Sequence, residues 1–332
     1  TASKAEAWAN QIGIDWAAVD VDRPDDLLDH LRDVDVVLVA LPFQGERSRP
    51  EGIVDAAIQT GTDYLDIIPD PEKWPVLQDR ETAVQKAGLR LLTEGGIVPG
   101  MPSALVRRDL DRLDEVENVE VACVMRDPKM GTGGMHDIVA HLADPAQKID
   151  GGELISAGWS EGKSVAFGPP YGDLRTVPSW LRELDRFEGT EGLERLQFQQ
   201  AGMHPVLDAW FALMMLTGLA RTEFGVGIGT TVADRLNRWL APGPSGLMLQ
   251  CTTRGRIHGT QRRRRTRLFH PDVYESTAIA TVAALDQLLA GSIPSGIHYM
   301  GGAVDPEQML DAIEQLGMRV DAVSSFPDEV DQ

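Results

Sequence analysis

Residues 34–41 read Val34-Asp35-Val36-Val37-Leu38-Val39-Ala40-Leu41, a nearly unbroken apolar, β-branched run. Such a run is the pattern of a strand buried on both faces of a parallel sheet. On its N-terminal side, Pro24 to Leu31 reads as a helix with proline in its first turn and acids at its start, and Ile14 to Val21 reads as a strand. On its C-terminal side, Glu51 to Gln59 is a helix stopped by Gly61. Asp63 to Ile68 is a strand, Val76 to Lys86 a helix and Leu89 to Thr93 a further strand. Strands and helices that alternate over short connections build right-handed βαβ units, so a doubly wound parallel sheet is expected.

The texture changes near Cys123. Gly131, Gly133 and Gly134 lead into a helix from Asp137 to Ala143, and a glycine- and proline-rich stretch follows from Gly151 to Pro178. Leu196 to Gln200 reads as a strand, and Leu247 to Phe269 as a long hairpin turning near Gly255 and Gly259. The apolar segment Ala209 to Leu219 between them reads as a helix. This is an α+β domain rather than more βαβ units. Two late helices, Glu275 to Leu289 and Pro306 to Leu316, are each ended by a glycine, Gly291 and Gly317.

A formal net charge of −20 repels nucleic acid and anionic membrane and argues against both as partners. The run Arg262 to Arg265 does not alter this: on a strand alternate residues face opposite sides, and the excess of Asp and Glu supplies counter-charges. The longest apolar run, Ala212 to Ala220, is interrupted by Thr217 and Gly218 and is too short to span a bilayer. No signal peptide is seen, and a cytoplasmic protein is expected. Cys123 and Cys251 stand far apart and outside any Cys-x-x-Cys, so neither a disulfide framework nor a thiolate metal site is indicated. His136 and His141 are five apart, which excludes the zinc-protease spacing. No metal is expected.

A dinucleotide fold needs a glycine-rich turn between a strand and a helix, where backbone N–H groups cradle pyrophosphate. The tight cluster Gly225-Val-Gly-Ile-Gly229 lacks the GxGxxG spacing and follows a helix, so it reads as a flexible turn. The chain opens on Thr1, without a methionine. The expectation is that a strand-turn-helix-strand unit of roughly 30 residues belongs ahead of it. Ser3 and Lys4 then follow a second strand, at the adenosine ribose, where they suit a 2′-phosphate and tilt the cofactor from NAD toward NADP. A plain solvated lysine is the alternative.

The segments VDVVLVALPF (34–43), AAIQTGTDYLDI (56–67) and KAGLRLLTEGGIVPGMPSALVRRDLD (86–111) resemble the saccharopine dehydrogenase or reductase family. YESTAIATVAALDQLLAGSIPSG (274–296) looks like that family's late helix with its glycine-ended turn. The resemblance implies an NAD(P)-binding Rossmann domain over residues 1–120, rejoined by about 275–332, with a substrate and dimerisation domain over 121–274. It puts Ala40, Leu41 and Pro42 along the cofactor's pyrophosphate and nicotinamide ribose, Asp20 and Val21 beside the adenine, and Tyr64 near the nicotinamide and substrate. The implied activity is hydride transfer between NAD or NADP and a small amino- or carboxylate-bearing substrate, in a chain compatible with a homodimer.

Two positions depart from the family pattern. Its Asp-Pro-Gly acid is Val98 here, and its histidine a few positions on is Ser103. The exact substrate is therefore open, and acid–base groups must be sought elsewhere. His136, near the start of a helix, suits proton transfer near neutral pH or else a helix cap. Arg175 and His204 are candidates for binding substrate. With Tyr64 and Pro42, His136 is expected to face one cleft between the domains. The alternatives are reduction of a C=C bond, and a non-catalytic nucleotide-binding protein.

Overall fold

The computed structural model describes residues 2–41, 48–69, 73–240 and 243–325. The chain begins with α1 (Ala2–Ile12), α2 (Pro24–Leu31), β1 (Val36–Val39), α3 (Ser48–Thr60) and β2 (Asp63–Asp66). α4 (Lys73–Gln78), α5 (Glu81–Ala87), β3 (Arg90–Thr93), α6 (Met101–Leu110) and the long strand β4 (Glu115–Arg126) follow. Next come α7 (Thr132–Ala140), β5 (Gln147–Asp150), β6 (Glu153–Ser156), β7 (Ser164–Gly168), β8 (Gly172–Ser179) and β9 (Leu193–Ala201). α8 (Pro205–Leu216), α9 (Glu223–Leu240), β10 (Gly246–Ile257), β11 (Thr260–His270) and α10 (Val273–Leu289) lead to the final group. This is β12 (Gly296–Tyr299), α11 (Met300–Ala303), α12 (Pro306–Gln315) and β13 (Arg319–Ser325).

The chain forms two compact units, Thr1–Thr93 with Ile293–His298, and Glu94–Ser292 with Tyr299–Gln332. The sequence reading draws its division near residue 120. The units divide at Thr93 instead because α6 packs on β4, β10, α11 and α12 of the second unit.

The first unit holds a sheet in the order β1-β2-β3-β12. β1 to β3 are parallel, with Val36 opposite Asp63 and Tyr64 opposite Leu91. Its core gathers Leu27, Leu31, Val39, Val54, Leu77 and Leu91 around Tyr64. β1 stands at the edge, so of its four residues only Val39 is buried and Leu38 is 43% exposed. The expected burial on both faces therefore fails for this strand. Ile14–Val21 is not a strand: among the described residues it has no ladder partner, and Ile14, Trp16 and Val19 face outward. The helix expected over Val76–Lys86 is broken between α4 and α5, where Arg80 grips the Asp55 carboxylate with Nε and Nη2 at 2.7 and 3.1 Å. A buried ion pair, Lys73 Nζ to Asp66 Oδ1 at 2.5 Å, closes the carboxyl end of β2. Thr93 Oγ1 donates to the other Asp66 oxygen at 2.9 Å.

The second unit is built on a nine-stranded sheet in the order β13-β11-β10-β4-β9-β5-β6, with β8 also on β9 and β7 on β8. Its pairings are antiparallel apart from β4 with β9. The hairpin β10–β11 turns at His258 and Gly259, both at positive φ. Interior polar groups fix α6 on the sheet: Asp109 accepts from Thr253 Oγ1 at 2.6 Å and from Arg264 Nε at 2.8 Å. One member of the arginine run is thus paired with a buried acid, as the charge balance led one to expect.

The segment Gly225–Gly229, read from sequence as a flexible turn, lies within α9. Two of its glycines, Gly225 and Gly229, serve close packing rather than bending. A Cβ on Gly225 would sit 2.0 Å from the Leu219 carbonyl oxygen, and one on Gly229 would sit 2.2 Å from Met214 Cε.

Candidate functional site

The chain leaves β3 at Thr93 and enters a tight turn, Glu94–Gly100, before α6. Glu94 has φ +58° and is nearly enclosed, an uncommon posture for a side-chain-bearing residue that marks a held conformation. Gly100 has φ +120°, and a Cβ there would meet Met300 Cε, Gly96 O and Glu94 O at 2.4 to 2.6 Å. Only glycine fits. α11 closes over the turn with its own glycine, since a Cβ on Gly301 would lie 2.0 Å from Gly100 O. α10 holds the turn from another side, Thr281 Oγ1 donating to Gly95 O at 2.8 Å.

Glu183, on a short 3-10 segment from Arg182 to Phe187, reaches this turn. Its Oε1 accepts the Gly100 N–H at 2.7 Å. Its other oxygen lies enclosed beside Ser103, whose hydroxyl and backbone N–H act on the carboxylate as hydrogen-bond donors. Burial pushes the carboxyl up to about 7, against the pull of the Gly100 N–H, the adjacent Ser103 and the Arg186 guanidinium. The half-buried Tyr299 phenol lies within electrostatic reach of Glu94, Arg182, Asp185 and Glu183; burial and Glu94 raise its pKa. Arg107 Nη1 donates to Gly301 O and Val304 O at 3.0 Å, and Arg186 lies against Gly302. The turn thus gathers a carboxyl able to exchange a proton near neutral pH, a phenol, and guanidinium groups suited to carboxylates.

The candidates from sequence fall in scattered places. Tyr64 is fully buried in the first unit's core; burial, then the charge of Asp66 and a hydrogen bond to it, raise its pKa. Enclosed between β1 and β3, it presents nothing to a ligand. Ala40 and Leu41 are exposed just past the carboxyl end of β1, and Pro42 lies outside the described residues. Ser3 and Lys4 are exposed on α1. Asp20 is engaged locally: its backbone N–H donates to Asp26 at 2.6 Å, and its carboxylate accepts from the Asp22 N–H at 3.1 Å. Val21 packs against the first unit's core.

In the second unit, His136 is half-buried in the middle of α7, whose N-cap is Gly131, so it is not a capping residue. His204 caps α8, its Nδ1 accepting the Val206 N–H at 3.2 Å. Arg175 is exposed on β8 opposite Ser164.

Sequence reasoning missed Glu183 and Tyr299. Glu183 carries no local signal. Tyr299 is flagged only by the Gly301-Gly302 pair that follows it. A surface depression of about 370 Å³ along α9, lined by Phe224, Ile228 and Val232 among others, holds no ionisable side chain and offers no acid–base chemistry. Among the described residues no group of His, Cys, Asp and Glu is arranged for a metal, and no helix is long and apolar enough to cross a membrane.

The architecture is α/β: a Rossmann-type parallel sheet joined to a second, α+β domain. Within that class it is similar to saccharopine dehydrogenase (L-Glu forming) from Saccharomyces cerevisiae, with a TM-score of 0.72 and 15% identity over 98% of this chain and 92% of that one. Biliverdin reductase from Synechocystis, solved with biliverdin and NADP+, aligns over 95% of this chain and 85% of its own at 14% identity and a TM-score of 0.37. A probable dehydrogenase from Thermotoga maritima covers 95% and 85% at 10% identity and a TM-score of 0.43. The first of these is a likeness of fold. No protein-family model and no curated protein sequence matches the chain.

Proposed function

We propose that this chain belongs to an NAD(P)-dependent oxidoreductase of saccharopine dehydrogenase type, moving hydride between the cofactor and a small amino- or carboxylate-bearing substrate in the cytoplasm. The observation that carries the reading is Glu183. The resembled family has an acid where this chain has Val98, and here a carboxyl from a distant segment is delivered to the same turn with a pKa near neutrality. Glu183 and Tyr299 are the proposed proton-handling groups; Arg107, Arg182 and Arg186 are the candidates for holding a substrate carboxylate. The similarity of fold to the yeast saccharopine dehydrogenase supports the same reading.

The cofactor fits only in part. Ala40 and Leu41 lie exposed past the carboxyl end of a parallel strand, where open α/β sheets bind ligands. Among the described residues of the first unit no glycine turn leads from a strand into a helix, so the pyrophosphate cradle is not supplied by them. The 332-residue chain is expected to hold NADPH or NADH weakly.

Saturation-transfer NMR with each dinucleotide, which reads weak contacts, combined with turnover assays by nicotinamide absorbance, tests this. Contact at the nicotinamide together with oxidation of NADPH or NADH by an imine-forming amino acid and carbonyl pair is the expected result. Turnover with conjugated alkenes alone would assign the chain to C=C reduction. Binding without turnover would make it a nucleotide-binding protein, and no contact with either dinucleotide would remove the proposal.

A further inference from the structure

α11 is a single helical turn, and two guanidinium groups lie against neighbouring residues of its backbone. Arg107, from α6, donates from Nη1 to Gly301 O and Val304 O at 3.0 Å. Arg186 lies so close to the next residue that a Cβ on Gly302 would sit 1.8 Å from its Nη1. Glycine at 302 makes the room that Arg186 occupies. The Phe187 ring steadies the same guanidinium, whose carbon stands 5.9 Å from the ring centroid. Arg186 is exposed and Arg107 half-buried. Among the described residues neither has a carboxylate within ion-pair distance.

The two cations act on each other. Burial, then the charge of Arg107, lower the pKa of Arg186, and the carboxylate that offsets them there is Glu183. Other charged groups around the turn are engaged elsewhere. Arg182 acts on Asp144 and on Tyr299, Glu94 acts on Tyr299, and Asp185 accepts from Trp180 Nε1 at 2.7 Å. α6 also presents Ser103, and α10 presents Thr281, neither of them charged. Glu183 is enclosed, with Oε1 taken by the Gly100 N–H. It therefore meets no ligand and responds to one only by gaining or losing a proton. Once protonated, it no longer offsets Arg107 and Arg186, whose planar forks match a carboxylate. A carboxylate seated there cancels the pull of Arg186 on Glu183 and adds negative charge nearby, and both effects favour the neutral acid. Each event promotes the other to the same extent.

Resting on the reading that these arginines hold a substrate carboxylate, we propose that the carboxylate seats on Arg186 and Arg107 together with the uptake of one proton by Glu183. The proton comes from solvent and joins a Glu183 carboxylate oxygen; no other bond changes.

Carbon-13 NMR of the 332-residue chain labelled at its glutamate carboxyls, with Glu183→Gln assigning the resonance, follows this titration directly. It is run in sodium succinate and in sodium chloride at equal ionic strength, with no dinucleotide present. In chloride the midpoint should lie near 7, and in succinate about one unit higher. Succinate should accordingly bind about tenfold more tightly at about pH 6 than at about pH 9. Arg186 is exposed, so Arg186→Gln is tolerated; its midpoint should start above the parent's and ignore succinate. Equal midpoints in the two salts would overturn the proposal, as would an Arg186→Gln chain that responds to succinate like the parent. A parent midpoint in the ordinary carboxylate range would also overturn it. Nicotinamide contact and turnover play no part in this readout, so the coupling and the oxidoreductase reading fail separately.

Discussion

Glu183 keeps one carboxylate oxygen on the Gly100 N–H and holds the other enclosed beside Ser103. Its pKa rises from an ordinary 4.5 to about 7, so the folded chain holds a proton that the unfolded chain releases between those values. The stability this proton contributes is complete below about pH 4.5 and is lost as pH climbs through about 7, a loss of about 3 kcal/mol at most. Glu183→Gln keeps an oxygen for Gly100 and abolishes the titration. Urea melts should therefore show the glutamine chain gaining on the parent between about pH 5 and about pH 8; parallel profiles would mean the carboxyl does not titrate in the fold. None of this was legible in the sequence, because Glu183 and Gly100 stand 83 positions apart. Tyr64 shows the converse. Its strand was readable, but an aromatic on a strand looks the same facing a ligand or a core, and packing alone decides that it joins Leu27 and Leu91.

α9 was the element most poorly read, since glycines suggest flexibility when nothing in the sequence says what they pack on. The structure separates their roles. Gly225→Ala forces a Cβ against the Leu219 carbonyl, a backbone atom that cannot move aside, and should cost about 1 to 3 kcal/mol. Gly227 has open space around its missing Cβ, so Gly227→Ala should stabilise by about 0.5 to 1 kcal/mol through helix propensity. Opposite signs in chemical denaturation are the expected outcome; a shared sign would show that close approach at Leu219 is not what holds Gly225. Elements with chemical punctuation were easier to read. α10 begins where Asp272 accepts the Glu275 N–H, and α12 where Asp305 accepts from Glu307 and Gln308; both helices were readable from their closing glycines. The apolar alternation of Ile14–Val21 misled, because a strand exists only where a neighbour completes its hydrogen bonds.

Over the whole molecule, the net charge of −20 opposes compactness through self-repulsion. Many of the surface ion pairs are exposed, such as Arg32 with Asp29, and such pairs contribute little. Screening should therefore relieve more repulsion than it removes attraction. Tm is expected to rise as sodium chloride increases from about 0.05 to about 0.5 M, over which the Debye length falls severalfold; a falling Tm would show that the ion pairs dominate. Class and order of elements were legible from βαβ alternation followed by the long hairpin. A late stretch rejoining the first domain was expected from the family resemblance, but which strand does so was not legible, because Gly296–Tyr299 is short and carries no pattern of its own.

That return sets a timetable. β3 waits for β12 while residues 94–292 are being made, so on the ribosome the first unit stays one strand short until that whole stretch has emerged. Folding that normally proceeds from the N-terminus during synthesis is here held open, and the first unit is closed by a latch thrown from well downstream in the message. Codons that slow translation before residue 293 would lengthen the period in which β3 lies uncovered, and with it the demand on chaperones.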